Sequence, residues 1–203
     1  MSGGMLHEDV LFFQRLLKAE GLYNGKLDGI WGPLTEAASN EFEEKSKQIK
    51  EEIASFDSRT EAHIRTLLLK AQREARVFMK KVLDAGINAK IISGTRTYAE
   101  QNNLFRQGRF GNPGPVVTKA RGGRSNHNFG IAWDIGIFTM TGGFITQDKA
   151  YDKPAEVGLS ETLEWGGNWR SFVDKPHYQL KVGEKITIVR ARFEAGENFV
   201  MVA

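Results

Sequence analysis

The chain has 203 residues, of which 40% are hydrophobic and 10% aromatic, as is typical of a folded protein rather than a disordered one. It contains no cysteine, which excludes disulfides, thiolate metal sites and cysteine nucleophiles. The formal charge of +3 is too small to indicate nucleic-acid binding. It is equally compatible with ordinary surface charge and with a weak attraction to an anionic polymer. No run of 18 apolar residues occurs, so no membrane span is predicted.

Residues 1–50 are predicted to form a small all-α domain. Apolar side chains recur at helical spacing in the first helix, at Leu6, Val10, Phe13 and Leu17. The turn dipeptides Asn24-Gly25 and Asp28-Gly29 follow, and Gly32-Pro33 opens a second helix. The segments GLYNG, DGIWGP and TEAA resemble the small peptidoglycan-binding domain at the ends of many cell-wall hydrolases. This resemblance implies a binding role, and the alternative is a helical hairpin that only packs on its neighbour.

A charged connector and one long helix are predicted next. Residues 43–52 contain neither glycine nor proline, which favours a helical extension over a spacer. Ser58 and Glu61 match a capping box, and helical spacing then continues to Gly86. Two histidines of the N-terminal half, His7 and His63, are interpreted as surface or packing residues because no second ligand pattern lies near them.

A strand over Asn88–Ser93 leads into a helix that begins at Thr97, where Thr97 and Glu100 form another capping box. Arg96 therefore lies at a strand-to-helix corner, where a side chain can be directed into a cleft; the alternative is a surface ion pair. Residues 110–124 are rich in glycine and are predicted to form a loop. The cations of this loop either meet an anionic substrate or are simply solvated.

The run Ser125–Phe138 carries the first candidate site. From Gly130 the sequence alternates, so that Asp134 shares one strand face with the small residues Ala132 and Gly136. A carboxylate in this position needs a partner, because burial of an unpaired charge is costly. The nearby His127 suggests that this partner is a metal ion.

The second candidate site lies forty residues later, where Asp174 precedes His177 by three residues. His177 is predicted to begin a strand, and the two sites are expected to be strand-borne, each pairing a histidine with an aspartate. Two imidazoles and one carboxylate suffice for a catalytic zinc with an open position for water, and a further carboxylate can act as general base. The alternative is two ordinary histidines with ion-paired aspartates.

The pattern SxHxxGxAxD from Ser125 to Asp134, followed by Asp174-x-x-His177, resembles the LAS group of zinc peptidases. This group includes D-Ala-D-Ala carboxypeptidases, D,D-dipeptidases and L-alanyl-D-glutamate endopeptidases. The resemblance, which runs from about Ser93 to Leu180, implies zinc ligands and a general base. It also implies that Arg96 binds substrate and stabilises the oxyanion. The implied zinc ligands are His127, Asp134 and His177, with Asp174 as general base and Ser125 at the substrate site.

We therefore expect an α+β catalytic domain over residues 51–203, with a small antiparallel sheet that carries the zinc site and is flanked by helices. A C-terminal hairpin is predicted from strands at Ile186–Phe193 and Asn198–Val202. The segment Glu164–Trp169 resembles the phage endolysin branch, which implies cleavage of the L-Ala–D-Glu bond in the peptidoglycan stem peptide. Within it, Trp165 and Trp169 are interpreted as core aromatics.

The remaining expectations concern location, assembly and competing functions. The N-terminal MSGGMLHEDV lacks a basic segment followed by an apolar stretch, so no secretory signal is predicted. We expect a monomer that is made in the host cytoplasm and reaches the cell wall through a separate membrane pore. The alternatives are a D-Ala-D-Ala carboxypeptidase or dipeptidase, and a non-catalytic wall-binding protein with a structural zinc.

Overall fold

A computed structural model of the chain describes residues 6–200. The chain divides into two compact units. The first comprises the described residues up to Glu44, the segment Arg96–Gly130 and the described residues from Val182 onward. The second comprises Lys45–Thr95 and Ile131–Lys181. The predictions made on residues 1–5 lie outside the described part.

Within residues 6–200 the chain forms seven α-helices and five β-strands, which confirms the predicted α+β class. In chain order, the elements up to the first strand are α1 (His7–Ala19), α2 (Pro33–Ile53), α3 (Ser58–Ile64), α4 (Leu69–Asp84) and β1 (Ala89–Ser93). They are followed by α5 (Tyr98–Arg106), β2 (Ala132–Phe138), β3 (Phe144–Ile145), α6 (Asp152–Gly158), β4 (Leu163–Trp165), β5 (His177–Leu180) and α7 (Ile186–Ala195). No helix of the described residues is long and apolar enough to cross a membrane.

The turn between α1 and α2 is folded around the buried side chain of Gln14. Its Nε2 donates to the Asp28 carboxylate and to the Ile30 carbonyl, each at 3.0 Å. Its Oε1 accepts from the backbone N–H groups of Asp28 at 3.1 Å and Gly29 at 2.9 Å. A single amide therefore satisfies three backbone groups of the turn. Because α2 runs without a break to Ile53, the charged connector is helical as predicted, whereas the domain boundary at residue 50 stays a prediction.

The predicted long helix from Ser58 to Gly86 is two helices, α3 and α4. The N-cap of α3 is Asp57 rather than Ser58, because the Asp57 carboxylate accepts from the backbone N–H groups of Arg59 and Thr60. The chain breaks before α4, where the Gln72 side chain donates to the Leu67 carbonyl at 2.9 Å. This bond satisfies a backbone carbonyl in the link between the two helices. Helical spacing alone could not show the break, since apolar residues continue through it.

Helices α3 and α4 are joined by a buried ion pair. The guanidinium of Arg76, 1% exposed, donates to both carboxylate oxygens of Glu61 at 2.9 and 2.8 Å. Burial by itself raises the pKa of Glu61, but the hydrogen bonds and charge of Arg76 outweigh it, so the pKa of Glu61 lies below its usual value. The glutamate predicted to cap α3 therefore ties two helices together.

The strands form one antiparallel sheet in the order β1-β2-β5-β4, with β3 paired to β2. Trp133 of β2 lies opposite Tyr178 of β5, and both rings pack against Phe78 of α4, the Tyr178 ring at a centroid distance of 4.3 Å. Since side chains alternate along a strand, Asp134 and His177 point to the opposite face of the sheet. The sheet thus uses one face for its core and the other for the candidate site.

The predicted C-terminal hairpin is wrong, because residues Ile186–Ala195 form the helix α7. Its two buried side chains, Val189 and Phe193, are four residues apart and therefore lie on one helical face. Gly196 ends the helix in the left-handed region with φ of 70°. The alternation in this segment resembled a strand, but burial follows the helical period. Of the second predicted strand, residues 198–200 are irregular and the rest lie outside the described residues.

Candidate metal centre

Asp134 and His177 face each other across two neighbouring strands of the sheet. They are register partners in the antiparallel pair of β2 and β5, and Asp134 Oδ1 lies 3.2 Å from His177 Nδ1. His177 is 5% exposed, and the Asp134 side chain is 17% exposed. The strand register therefore brings together two residues that are 43 positions apart. The face of β2 beside Gly136 is covered by large side chains, since a Cβ there would lie 2.9 Å from Phe144 and 3.0 Å from Ile92, so the prediction of a face without bulk does not hold at this position.

His127 lies on a turn of 3-10 helix, Asn126–Phe129, and not on a strand. The prediction of a strand-borne His127 is therefore wrong. Gly130 ends this turn in the left-handed region with φ of 69°, which lets the chain enter β2 two residues later. His127 is buried, and its carbonyl accepts a hydrogen bond from the backbone N–H of Arg96 at 3.0 Å.

The three predicted metal ligands come together. His127, Asp134 and His177 each offer one ligand atom, and these atoms lie within 4.8 Å of one another. Two imidazoles and a carboxylate are the donor set of a catalytic zinc site that keeps an open position. The residues present therefore fit a metal ion.

The pKa of His177 reflects its neighbours. Burial lowers this pKa, but the hydrogen bond and the charge of Asp134 outweigh the burial, so that the pKa is raised above its usual value. The pair thus attracts a positive charge to the space between Nδ1 and Oδ1. A metal ion competes with a proton there, which makes metal binding weaker at lower pH.

Asp174, the predicted general base, is held close to His177 by a tight turn. Its backbone N–H donates to the Gly166 carbonyl at 3.0 Å, and its own carbonyl accepts from the His177 N–H at 3.2 Å. The charge of Asp174 is among the causes that raise the pKa of His177. Gly166 makes this approach possible, because a Cβ there would collide with the Asp174 carbonyl and lie 3.1 Å from the His177 Cβ.

Arg96 and Ser125 lie at the ends of the glycine-rich segment and its flanking helix. Arg96 immediately precedes Thr97, which forms the predicted capping box of α5, and its Nη1 donates to Gln101 Oε1 at 3.4 Å. Ser125 is the extended residue that precedes the turn of His127. The position of Arg96 between β1 and α5 agrees with the predicted strand-to-helix corner. The roles of Arg96 and Ser125 in substrate binding stay predictions.

The segment 110–124 is irregular apart from turns, as predicted. It is tied to α5 by side chains, since Gln101 Nε2 donates to the Ala120 carbonyl at 3.0 Å. Two cations of this region, Arg109 and Arg121, lie over the Phe105 ring at 4.3 and 4.9 Å from its centroid. Both guanidinium groups therefore make cation–π contacts, while the contact of the loop cations with an anionic substrate stays a prediction.

Asn128 is a structural residue of the site that sequence reasoning missed. It is fully buried; its Nδ2 donates to the Arg96 carbonyl at 2.8 Å, and its Oδ1 accepts from the Gly123 N–H at 2.9 Å. The side chain thus joins the Arg96 corner, the end of the loop and the turn that carries His127. One sequence signal could have indicated this role: Asn128 is a polar residue between the candidate ligand His127 and the apolar Phe129.

Residues 118–180 match a family model described as D-alanyl-D-alanine carboxypeptidase. This segment contains all but one of the predicted site residues, Arg96 being the exception. The predicted resemblance to LAS-type peptidases and the predicted enzyme class are thereby confirmed, and the histidine–aspartate–histidine group fits a metallopeptidase.

Individual relatives extend the comparison. The chain is 37% identical over 105 residues to the peptidoglycan L-alanyl-D-glutamate endopeptidase CwlK of Bacillus subtilis (strain 168), a match that covers 47% of this chain and 62% of that protein. The match thus spans about three fifths of the relative's length. Among solved structures, the Serratia marcescens L-Ala D-Glu endopeptidase ChiX is 25% identical, with a TM-score of 0.48, covering 65% of this chain and 93% of that one.

Proposed function

We propose that the protein is a zinc-dependent endopeptidase that cleaves the L-Ala–D-Glu bond of peptidoglycan stem peptides. The observation that carries the proposal is the convergence of His127, Asp134 and His177 within 4.8 Å inside a segment that matches a peptidase family. The choice of bond is supported by the 37% identity to a relative named for that activity.

His127, Asp134 and His177 would hold the zinc, which when bound supplies a Lewis acid and activates water at neutral pH. The carboxylate of Asp174 accepts a proton from the attacking water and later delivers it to the nitrogen of the leaving amine. Arg96 donates hydrogen bonds to the oxygen of the scissile carbonyl as negative charge develops there. Ser125 contacts the substrate beside the turn that carries His127.

The N-terminal residues 1–50 are proposed to bind peptidoglycan and hold the enzyme on its polymer, which raises the local concentration of the catalytic residues. The proposal is supported by the resemblance of this segment to wall-binding domains. Two apolar side chains that follow the Gln14-bound turn, Ile30 and Leu34, are 64% and 58% exposed and are available for contact. A role in phage lysis is proposed on the resemblance of Glu164–Trp169 to the endolysin branch.

A second candidate is a D-Ala-D-Ala carboxypeptidase, which the description of the family matched by residues 118–180 favours. The two functions release different products from the same stem peptide. Endopeptidase cleavage creates a new N-terminal D-Glu, whereas carboxypeptidase cleavage releases free D-Ala.

Digestion of purified peptidoglycan by the full chain, followed by mass spectrometry, tests the proposal. We expect peptides with N-terminal D-Glu, whose formation stops when a chelator removes the metal and resumes when zinc is added. Release of D-Ala alone would replace the proposal with the second candidate. Binding to peptidoglycan without any turnover in the presence of zinc would instead favour a non-catalytic wall-binding protein.

A further inference from the structure

A chain of hydrogen bonds runs from Trp169, through the edge strand β4, to the candidate ligand His177. The indole N–H of Trp169 donates to one carboxylate oxygen of Glu164. The other oxygen of Glu164 accepts from Gln179 Nε2 at 2.9 Å, and Gln179 Oε1 lies 2.9 Å from His177 Nε2. Glu164 and Gln179 are register partners on β4 and β5, so the sheet itself holds the central link.

The direction of these hydrogen bonds follows from the chemistry of the groups. A carboxylate oxygen accepts hydrogen bonds, so it is the amide nitrogen of Gln179 that donates to Glu164. The amide oxygen of Gln179 therefore faces His177, and the histidine must donate from Nε2. In the neutral imidazole the lone pair is then on Nδ1, the atom that lies 3.2 Å from Asp134 Oδ1.

Two acceptor atoms at this distance repel each other unless a proton or a cation lies between them. We call the hydrogen-bonded series Glu164–Gln179–His177 the relay. It leaves the lone pair of His177 on Nδ1, which faces a lone pair of Asp134 Oδ1. The Trp169 ring restricts the orientation of the imidazole further, because it lies against the His177 ring at a centroid distance of 4.9 Å. Both the tautomer and the plane of the ring are set by residues outside the predicted ligand group.

We infer that Glu164 and Gln179 are positioning residues that hold His177 in the tautomer with its proton on Nε2, so that Nδ1 is its metal-binding atom. The inference rests on the proposed metal site. Partners of this kind fix the orientation of a ligating histidine and increase its basicity, and their loss typically weakens metal binding by about 10- to 100-fold. A merely structural role predicts instead that any side chain filling the same space leaves metal affinity unchanged.

Reversal of the relay distinguishes these roles. In Glu164→Gln the residue at 164 can donate or accept, so the Gln179 amide is no longer forced to present its oxygen to His177. In the double variant Glu164→Gln with Gln179→Glu, an amide at 164 donates to a carboxylate at 179, which accepts from His177 Nε2. The formal charge is unchanged and every donor again meets an acceptor.

The zinc Kd of the full chain is measured by competition with a chromophoric chelator for the wild type, Gln179→Leu, Glu164→Gln and the double variant. We expect each single substitution to raise the Kd by about 10- to 100-fold and the double variant to recover wild-type affinity. Gln147→Leu, the same change at an exposed position, is the matched control and should bind zinc normally. Circular dichroism of the metal-free proteins checks that each variant is folded.

A second measurement reads the ligand atom directly. In cadmium-loaded protein with isotope-labelled histidine nitrogens, the NMR coupling between the metal and His177 should appear at Nδ1. Coupling at Nε2, or unchanged zinc affinity in both single variants, would overturn the inference. So would a double variant that binds as weakly as the single ones. A wild type that binds zinc but cleaves no peptidoglycan refutes only the proposed function, and one that binds no zinc refutes both.

Discussion

The candidate site combines residues that are held by two different means. Asp134 and His177 belong to paired strands, where the backbone ladder and the register place them opposite each other. His127 belongs to a short turn, where the side chain of Asn128 ties the flanking backbone to Arg96 and Gly123. The first arrangement depends on a ladder of backbone hydrogen bonds. The second depends on the buried side chain of Asn128 and on few backbone hydrogen bonds, among them that from the Arg96 N–H to the His127 carbonyl. Substitutions near the turn should therefore disturb the site more easily than substitutions in the strands.

The largest effect is expected at Asp174. Asp174→Asn keeps the shape of the side chain but removes its capacity to accept a proton, so kcat should fall by about 10²- to 10⁴-fold while zinc still binds. His127→Ala should lose both zinc and activity. The measurements are peptidoglycan turnover and metal content, with the exposed Asp84→Asn as control. Normal turnover by Asp174→Asn would remove this residue from the mechanism.

The next largest effect is expected at Gly166, which lies against Asp174 and the start of the strand that carries His177. A methyl group at this position would collide with the Asp174 carbonyl and crowd the Cβ atoms of Asp174 and His177 at 3.2 and 3.1 Å. Because misplacement of a catalytic group by about 1 Å can cost about 10²-fold, Gly166→Ala should lower kcat by up to that factor. As a control, Gly143→Ala adds the methyl group at an exposed turn, where it meets only the Thr139 side chain, and should leave kcat unchanged. Equal activity of the two variants would show that the close approach at Gly166 has no catalytic consequence.

A substitution of Asn128 tests how the turn that carries His127 is held. Asn128→Ala removes the partners of a buried carbonyl and a buried N–H, which should lower the free energy of unfolding by about 1–3 kcal/mol. Because the same bonds position the turn of His127, zinc affinity should fall as well. Denaturant unfolding and zinc competition measure the two effects, and Asn112→Ala removes an exposed bond as the control. Loss of stability with unchanged zinc affinity would contradict a positioning role.

The smallest effect concerns the helices beside the sheet and should leave both parts of the site intact. Since the folded-state pKa of Glu61 is lowered, its pair with Arg76 stabilises the protein above the usual pKa of the carboxyl group. This contribution is lost as the pH falls through the lowered pKa. Thermal unfolding at acidic pH should therefore show a smaller pH dependence in Glu61→Gln than in the wild type. An identical pH dependence would exclude this pair as its source.

Local patterns in the sequence predicted local features well. The capping box of Thr97 and Glu100, the helix start at Pro33 and the strand of Asp134 are all observed, because each depends on groups only a few residues apart. Local patterns failed where contacts with residues far away in the sequence determine the secondary structure. Residues 186–195 alternate like a strand yet form a helix, since Phe193 packs against Phe12 and Phe129 from elsewhere in the chain.

The sequence by itself therefore indicated which residues are chemically suited to a metal site and a general base, because their types and spacing match the pattern of a known group of zinc peptidases. Only the tertiary structure decided how they are held. The register of β2 and β5 sets the Asp134–His177 distance, and Asn128 fixes the turn of His127. The direction of the Glu164–Gln179–His177 relay also depends on strand pairing. These features arise from backbone and side-chain contacts between segments far apart in sequence, which no local pattern encodes.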